Sequence, residues 1–288
     1  MFPNTQQDVQ AGRGLDSMQR RTQAPLQGAP NVTPADCLAH CQDQIAALLI
    51  GRLALQPVAL PSDLACAAGM LRGQPVRMFT QRFSGSGFLS LTVARIEASP
   101  GRLCSLTVVG VPQPGAGLPI LGMDLIALSG SLSLVAVDLA PTDAQADAPT
   151  WHSNCAPLLR DLQQQTHDVL TPRKRPQFTV DTFSPLAVIA GARNGTEEIV
   201  LRGLTTFLQR VSDLWLHKQA DCRTQGAETE SPRSQAELDR IRRWMLAEQS
   251  NRKEHNALSV IFGAEFAARY LHGFLFDPPA RTSEPEGI

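Results

Sequence analysis

Asp124 is the only charged side chain in the run Leu118-Pro119-Ile120-Leu121-Gly122-Met123-Asp124-Leu125-Ile126-Ala127-Leu128. A carboxylate in such a run is expensive to bury unless it is paired, hydrogen-bonded or protonated. Buried beside a ligand it loses water, holds its proton more tightly and becomes a general acid near neutral pH. At a bulge or an edge facing water it is an ordinary solvated charge. Residue types alone leave both readings open.

Other sequence signatures of chemistry are missing. There is no Walker phosphate loop, no Gly-x-Gly-x-x-Gly after a strand pattern and no Gly-x-Ser-x-Gly elbow, so nucleotide binding and serine hydrolysis lack their sequence basis. The six histidines never stand four apart, the spacing that puts two zinc ligands on one helix face. Cys37, Cys41, Cys66, Cys104, Cys155 and Cys222 form no Cys-x-x-Cys pair. Cys37 and Cys41 fit one helix face, but two thiols make neither a zinc nor an iron–sulfur site. The residues therefore assign no metal.

The elements that must position Asp124 are strands. Residues 76–83, 88–97 and 103–111 are separated by Ser84-Gly85-Ser86-Gly87 and Ser99-Pro100-Gly101. Turns this short imply antiparallel hairpins, because a parallel crossover needs a dozen or more residues. Residues 120–128 and 132–138 follow around Ser129-Gly130, apolar on both parities, as expected of a sheet covered on both faces. Residues 183–192 read as a last strand.

Helices flank this block. Thr33 can cap one with Pro34 in first position, and Leu38, Ile45, Leu48 and Leu49 recur at helical spacing. Thr196 opens another to about residue 217, with Val200, Leu204, Phe207, Leu208 and Val211 on one side. After a polar stretch at 218–234, read as a surface loop, helices are expected near 236–252 and 264–276. The expected fold class is α/β, a three-layer α/β/α sandwich with a central, mostly antiparallel sheet.

Residues 1–33 are rich in Gln, Gly and Pro and poor in large apolar side chains, so a disordered tail is expected there. One domain is expected over 34–277, with a second tail at 278–288. A net charge of -1 without a Lys/Arg stripe removes the electrostatic basis of nucleic-acid binding. No apolar window reaches membrane-spanning length and residues 1–33 lack the pattern of a secretory signal, so a cytoplasmic protein is expected.

Residues 118–142, reading Leu-Pro-Ile-Leu-Gly-Met-Asp-Leu-Ile-Ala and then Leu-Ser-Leu-Val-Ala-Val-Asp-Leu-Ala-Pro-Thr, resemble the central signature of the ferredoxin-dependent bilin reductases. Asn251-Arg252-Lys253, followed by Ala264-Glu265-Phe266 and Leu275-Phe276-Asp277, is similar to that family's carboxy-terminal helices. With weaker similarity over 183–198, the resemblance covers roughly residues 40–277.

It implies an α/β/α sandwich that holds biliverdin or a related open-chain tetrapyrrole between sheet and carboxy-terminal helices. It also implies no bound metal or organic cofactor, with single electrons arriving from ferredoxin. On this resemblance Asp124 matches the central aspartate that protonates the substrate, and Ser133 a serine on the next strand. Arg252 and Lys253 match the segment whose basic group pairs with a propionate. Arg173 and Arg175 are candidates for a second propionate or for acidic ferredoxin, and Asn251 and His255 lie near enough in sequence to join the site.

The chain departs from the four-electron, phycocyanobilin-forming members, which carry a glutamate and a histidine on earlier strands. Phe79 or Thr80, and Thr92, stand at those positions. The departure argues against reduction of the D-ring vinyl group. It also leaves room for a different class of function, a redox-inactive bilin carrier.

Overall fold

The computed structural model describes residues 38, 44, 46–85, 87–98, 103–129, 131–142, 149–225 and 232–280. The expected tail at 1–33, residues 281–288 of the expected tail at 278–288, and most of the helix expected from Thr33 lie outside the described residues.

The strands are β1 (Gln56–Val58), β2 (Cys66–Leu71), β3 (Gln74–Gly85), β4 (Phe88–Ala98), β5 (Leu103–Pro112), β6 (Ile120–Leu128), β7 (Ser131–Ala140), β8 (Leu170–Pro172) and β9 (Val188–Ala192). They form a nine-stranded sheet in the order β1-β3-β4-β5-β6-β7-β9-β8, with β2 paired to β3 beside β1. Every pairing is antiparallel. Between β2 and β3 the chain turns through Arg72 and Gly73, with φ of 50° and 75°. Two positive φ values at the centre of a two-residue hairpin match the twist of the flanking strands.

The helices are α1 (Ser62–Ala65), α2 (Pro149–Asn154), α3 (Ala156–Thr166), α4 (Glu197–Gln225), α5 (Pro232–Gln249), α6 (Arg252–Phe262) and α7 (Ala264–Tyr270), with π-helical turns at Ala46–Gly51 and Leu271–Leu275. None among the described residues is long and apolar enough to cross a membrane.

The helices make the two outer layers. Leu158, Leu159 and Leu162 of α3 and Val200, Leu204, Phe207, Leu208, Val211 and Trp215 of α4 pack on one face of the sheet against Leu121, Met123, Leu125, Val135 and Val137. Ile241, Trp244 and Met245 of α5, Leu258 of α6 and Ala267 and Tyr270 of α7 pack on the other face against Met78, Ala94, Val109 and Ile120. The expected three-layer sandwich is the observed fold.

Several boundaries differ from the sequence expectation. The stretch read as a loop over 218–234 is helical to Gln225 and again from Pro232; its side chains are polar, but polarity does not break a helix when propensities are adequate. The helix expected over 236–252 ends at Gln249, and Asn251 caps a new one. The last strand begins at Val188 rather than 183, because residues 184–187 turn through Pro185, where the Ala187 N–H donates to the Ser184 carbonyl. The short elements β1, β2, β8, α2 and α3 were not foreseen; segments of three to eleven residues carry little periodicity to read.

Candidate active site

Strand parity decides which residues reach the face beneath α5, α6 and α7. In β6 the odd positions Leu121, Met123, Leu125 and Ala127 enter the core shared with α3 and α4, so Gly122, Asp124 and Ile126 face the other way. The register aligns Asp124 with Thr107 of β5 and Ala136 of β7, and Thr107 with Ala94 of β4. The odd face is fully buried, whereas Gly122, Asp124, Ile126, Leu134, Ala136 and Ile189 remain half-buried. The central strands thus present a partly open, mostly apolar floor that carries the carboxyls of Asp124 and, buried at its β7 side, Asp138.

Asp124 Oδ1 accepts a 2.9 Å hydrogen bond from Thr107 Oγ1, and no cation pairs with it among the described residues. Burial pushes its carboxyl up from an ordinary 3.8 to about 6, and the Thr107 bond offsets part of that rise. Asp124 is thus a half-buried carboxyl, without a cation partner among the described residues, whose burial makes it hold its proton more tightly than in water.

The helical layer brings two more carboxyls to the same place. Glu254 stands in the first turn of α6, in line with the buried Leu258 and Ile261 at i+4 and i+7. Asn251, the N-cap, accepts from the Glu254 N–H at 3.5 Å and donates its Nδ2 to Glu254 Oε2 at 3.2 Å, a variant of the capping box. Burial, and then the Asp124 charge, push Glu254 up to about 8. Glu248 of α5, 8% exposed, lies on the stripe of Ile241, Trp244 and Met245. Burial and the charges of Glu254, Asp124 and Asp138 raise its carboxyl well above the usual range.

Thr80 and Thr92 are both buried on the same face. Thr80 Oγ1 and the Tyr270 hydroxyl share a hydrogen bond of 3.1 Å. Arg82 donates Nε to Thr92 Oγ1 at 3.1 Å and Nη2 to the Phe274 carbonyl at 2.6 Å, with its guanidinium 4.0 Å from the Phe274 ring centroid. Trp244 covers Gly122, where a Cβ would meet its Cζ2 at 3.6 Å, and stacks on Phe183. The Trp244 indole N–H is buried without an acceptor among the described residues, a donor open to a bound molecule.

Ser133 sits where the β6–β7 register slips between Ile126 and Ala127, and its hydroxyl donates to the Ile126 carbonyl at 2.9 Å. Gly191, on the same sheet face, has Ser133 O and Arg173 Nη2 at 3.1 and 3.2 Å from the place of a Cβ. A larger residue would displace the exposed Arg173 guanidinium from beside Ser133. Arg175 is bound instead to the Ser184 carbonyl, next to buried Asp138, whose carboxylate accepts from the Ser184 N–H at 2.8 Å and from its hydroxyl. Arg252 and Lys253 are exposed on the first turn of α6. His255 is half-buried, with its ring centroid 5.8 Å from that of His272.

Sequence reasoning missed Thr107, Arg82, Tyr270, Glu248 and Glu254. The two glutamates had a legible signal, since each occupies the apolar stripe of its own helix.

The family model of the ferredoxin-dependent bilin reductases matches residues 42–277. The chain belongs to this family. It is an oxidoreductase that takes electrons from ferredoxin and reduces a bilin.

Among its relatives is the phycocyanobilin:ferredoxin oxidoreductase of Synechococcus sp. (strain CC9902), 28% identical over 230 residues, which span 78% of this chain and 86% of that one. The enzyme of the same name from Trichodesmium erythraeum (strain IMS101) is 26% identical over 261 residues, spanning 90% and 99%. The crystal structure of tomato phytochromobilin synthase in complex with biliverdin superposes with a TM-score of 0.64 at 15% identity, covering 84% of this chain and 82% of that one. At that identity the likeness is one of fold.

Proposed function

We propose that this bilin reductase acts on biliverdin or a dihydrobiliverdin, held between the sheet and α5, α6 and α7, and protonates the one-electron-reduced bilin from Asp124. The observation that carries the reading is the Asp124 carboxyl: it stands on a mostly apolar floor, bonded among the described residues to Thr107, and burial raises it to about 6. An acid poised near the working pH combines a useful protonated fraction with a useful driving force for transfer.

Ferredoxin supplies the electrons singly, and the reading assigns no resident metal or organic cofactor. Arg173, at one end of the floor, and Arg252 and Lys253, at the start of α6, are the cations assigned to the propionates, for which guanidinium and ammonium groups are natural partners. Ser133 and His255 are assigned to the edges of the tetrapyrrole. Asn251 and Arg175 act as positioning residues through Glu254 and Ser184. The enzyme is assigned to the cytoplasm.

Thr80 and Thr92 favour a product other than one reduced at the D-ring vinyl group. Their hydroxyls are committed to Tyr270 and Arg82 and hold no proton that titrates near neutral pH. A phytochromobilin-type or phycoerythrobilin-type product follows.

Anaerobic mixing of the protein with biliverdin, reduced ferredoxin and its regenerating reductase tests this. A spectral shift on binding, then ferredoxin-dependent loss of the biliverdin band and chromatographic identification of a product with an intact D-ring vinyl group, is expected. Binding without turnover would overturn biliverdin as the substrate, and a D-ring-reduced product would overturn the regiochemistry.

A further inference from the structure

An indole carries a donor and no acceptor, so a buried tryptophan N–H calls for an oxygen that faces it. The chain has three tryptophans. Trp151 of α2 donates to the Leu139 carbonyl at 2.8 Å. Trp215 of α4 and Trp244 of α5 bury their N–H groups without an acceptor among the described residues, an arrangement that costs free energy for as long as it lasts.

The two unpartnered donors stand in different places. Trp215 lies in the apolar core shared by the sheet, α3 and α4, stacked on Phe88 at 5.2 Å. Trp244 is only 3% exposed, but it borders the half-open floor of the sheet. Its Cζ2 lies 3.6 Å from the place of a Cβ on Gly122. Cζ2 and Nε1 are bonded to the same ring carbon, so the edge of the indole that carries the N–H is the edge turned towards the floor. Gly122 has no side chain to occupy that place and is itself half-buried. Asp124 follows two residues along the same strand on the same face, roughly 7 Å away.

The surroundings select the acceptor. Asp138, the cross-strand partner of Gly122, bonds the Ser184 N–H and hydroxyl instead of the indole. Phe183 stacks on Trp244 at 6.2 Å and Phe276 meets it edge-on at 5.9 Å, which fixes the plane of the ring. Ile241, Met245 and Val109 belong to the same apolar cluster. These neighbours bring no cation to the indole, so a carboxylate placed there would stay uncompensated. In an open-chain tetrapyrrole the propionates are charged, whereas the terminal lactam carbonyls are neutral and accept hydrogen bonds.

We propose that Trp244 binds the substrate directly, its indole N–H donating to a lactam carbonyl oxygen of the bilin. The inference rests on the bilin-reductase reading above. The indole keeps its proton, since the group is a donor only, and it fixes which terminal ring lies beside Gly122 and Asp124. When an electron arrives from ferredoxin, negative charge grows on that oxygen, and a donor already aimed at it stabilises the reduced bilin more than the oxidised one.

The test takes the full chain with nitrogen-15 in its tryptophan side chains and titrates it with biliverdin and with biliverdin dimethyl ester, in the dark and without ferredoxin. Nuclear magnetic resonance follows the indole signals, and absorbance gives the affinities. Trp244→Phe, which keeps an aromatic ring for Phe183 and Phe276 and removes the N–H, assigns the Trp244 signal and supplies the comparison. Biliverdin is expected to move the Trp244 indole proton downfield and to leave that of Trp215 in place. Trp244→Phe is expected to bind both ligands about tenfold more weakly. The ester has no propionate charge, so an equal loss for both ligands identifies the lactam, and a loss confined to free biliverdin would overturn that assignment. An unmoved Trp244 signal, or parent-like affinity in Trp244→Phe, would overturn the proposal and leave the bilin-reductase reading intact. If Trp244→Phe does not fold, the parent signal decides alone, a downfield shift supporting the bond and an unmoved signal overturning it. Failure of the parent to bind either ligand would instead strike the substrate reading.

Discussion

Replacing Asp124 by asparagine should make the ligand-free protein more stable and the enzyme much slower. Moving a carboxyl from 3.8 to about 6 on folding corresponds to roughly 3 kcal/mol against the charged form. The folded state binds this proton more tightly than the unfolded chain does. Stability from this group is therefore fully present below about pH 4, falls as pH rises towards 6 and stays low above it. Asparagine is nearly isosteric, keeps an oxygen for the Thr107 hydroxyl and has no charge to desolvate.

At pH 8 the variant should gain up to about 3 kcal/mol, reduced by about 1 kcal/mol for a weaker Thr107 bond, whereas at pH 4 the two proteins should match. At about 2–4 °C per kcal/mol for a domain of this size, the melting temperature should rise by about 4–8 °C at pH 8. Differential scanning calorimetry of both proteins at pH 4 and 8 reads this directly. Ferredoxin-driven turnover should fall by about 100-fold or more, with biliverdin binding retained. A variant that melts at or below the parent at pH 8, or gains equally at pH 4, would refute the account of Asp124 as a desolvated carboxyl. An unchanged turnover rate would remove it from catalysis.

Three further outcomes follow from the same geometry. Asp138→Ala should destabilise by about 3 kcal/mol in urea unfolding, because it strands the buried Ser184 N–H and hydroxyl, whereas Ser184→Ala should cost about 1 kcal/mol. Gly69→Ala should cost about 2 kcal/mol and weaken biliverdin binding, since its Cβ would come within 2.2 Å of the Ile261 carbonyl and force α6 away from β2. In contrast, Gly122→Ala, which meets Trp244 at an ordinary 3.6 Å, should melt within about 1 °C of the parent. Arg82→Met should leave the fold intact but change the bound biliverdin spectrum, because it frees Thr92 and the Phe274 carbonyl inside the cleft; an unchanged spectrum would place Arg82 outside ligand contact.

The sequence by itself determined the layers, the antiparallel central strands and the oddity of Asp124. Hairpin turns, two-sided apolar strands and helical stripes are local signals, and each survives without knowledge of what packs against it. It also carried the family, through two segments that lie more than a hundred residues apart. What it could not decide was the environment of each charge. Which helical layer Asp124 faced depended on the parity of β6 relative to two cores, and whether Asn251 capped a helix depended on where α5 ended. Arg252 and Lys253 stand out in the sequence yet are exposed. Arg82, unremarkable in the sequence, is held on the α6–α7 side of the sheet by bonds to Thr92 and to the Phe274 carbonyl, nearly two hundred residues away in the chain. Proton affinity is a property of desolvation and neighbouring charge, and both are set by residues brought together from distant parts of the chain.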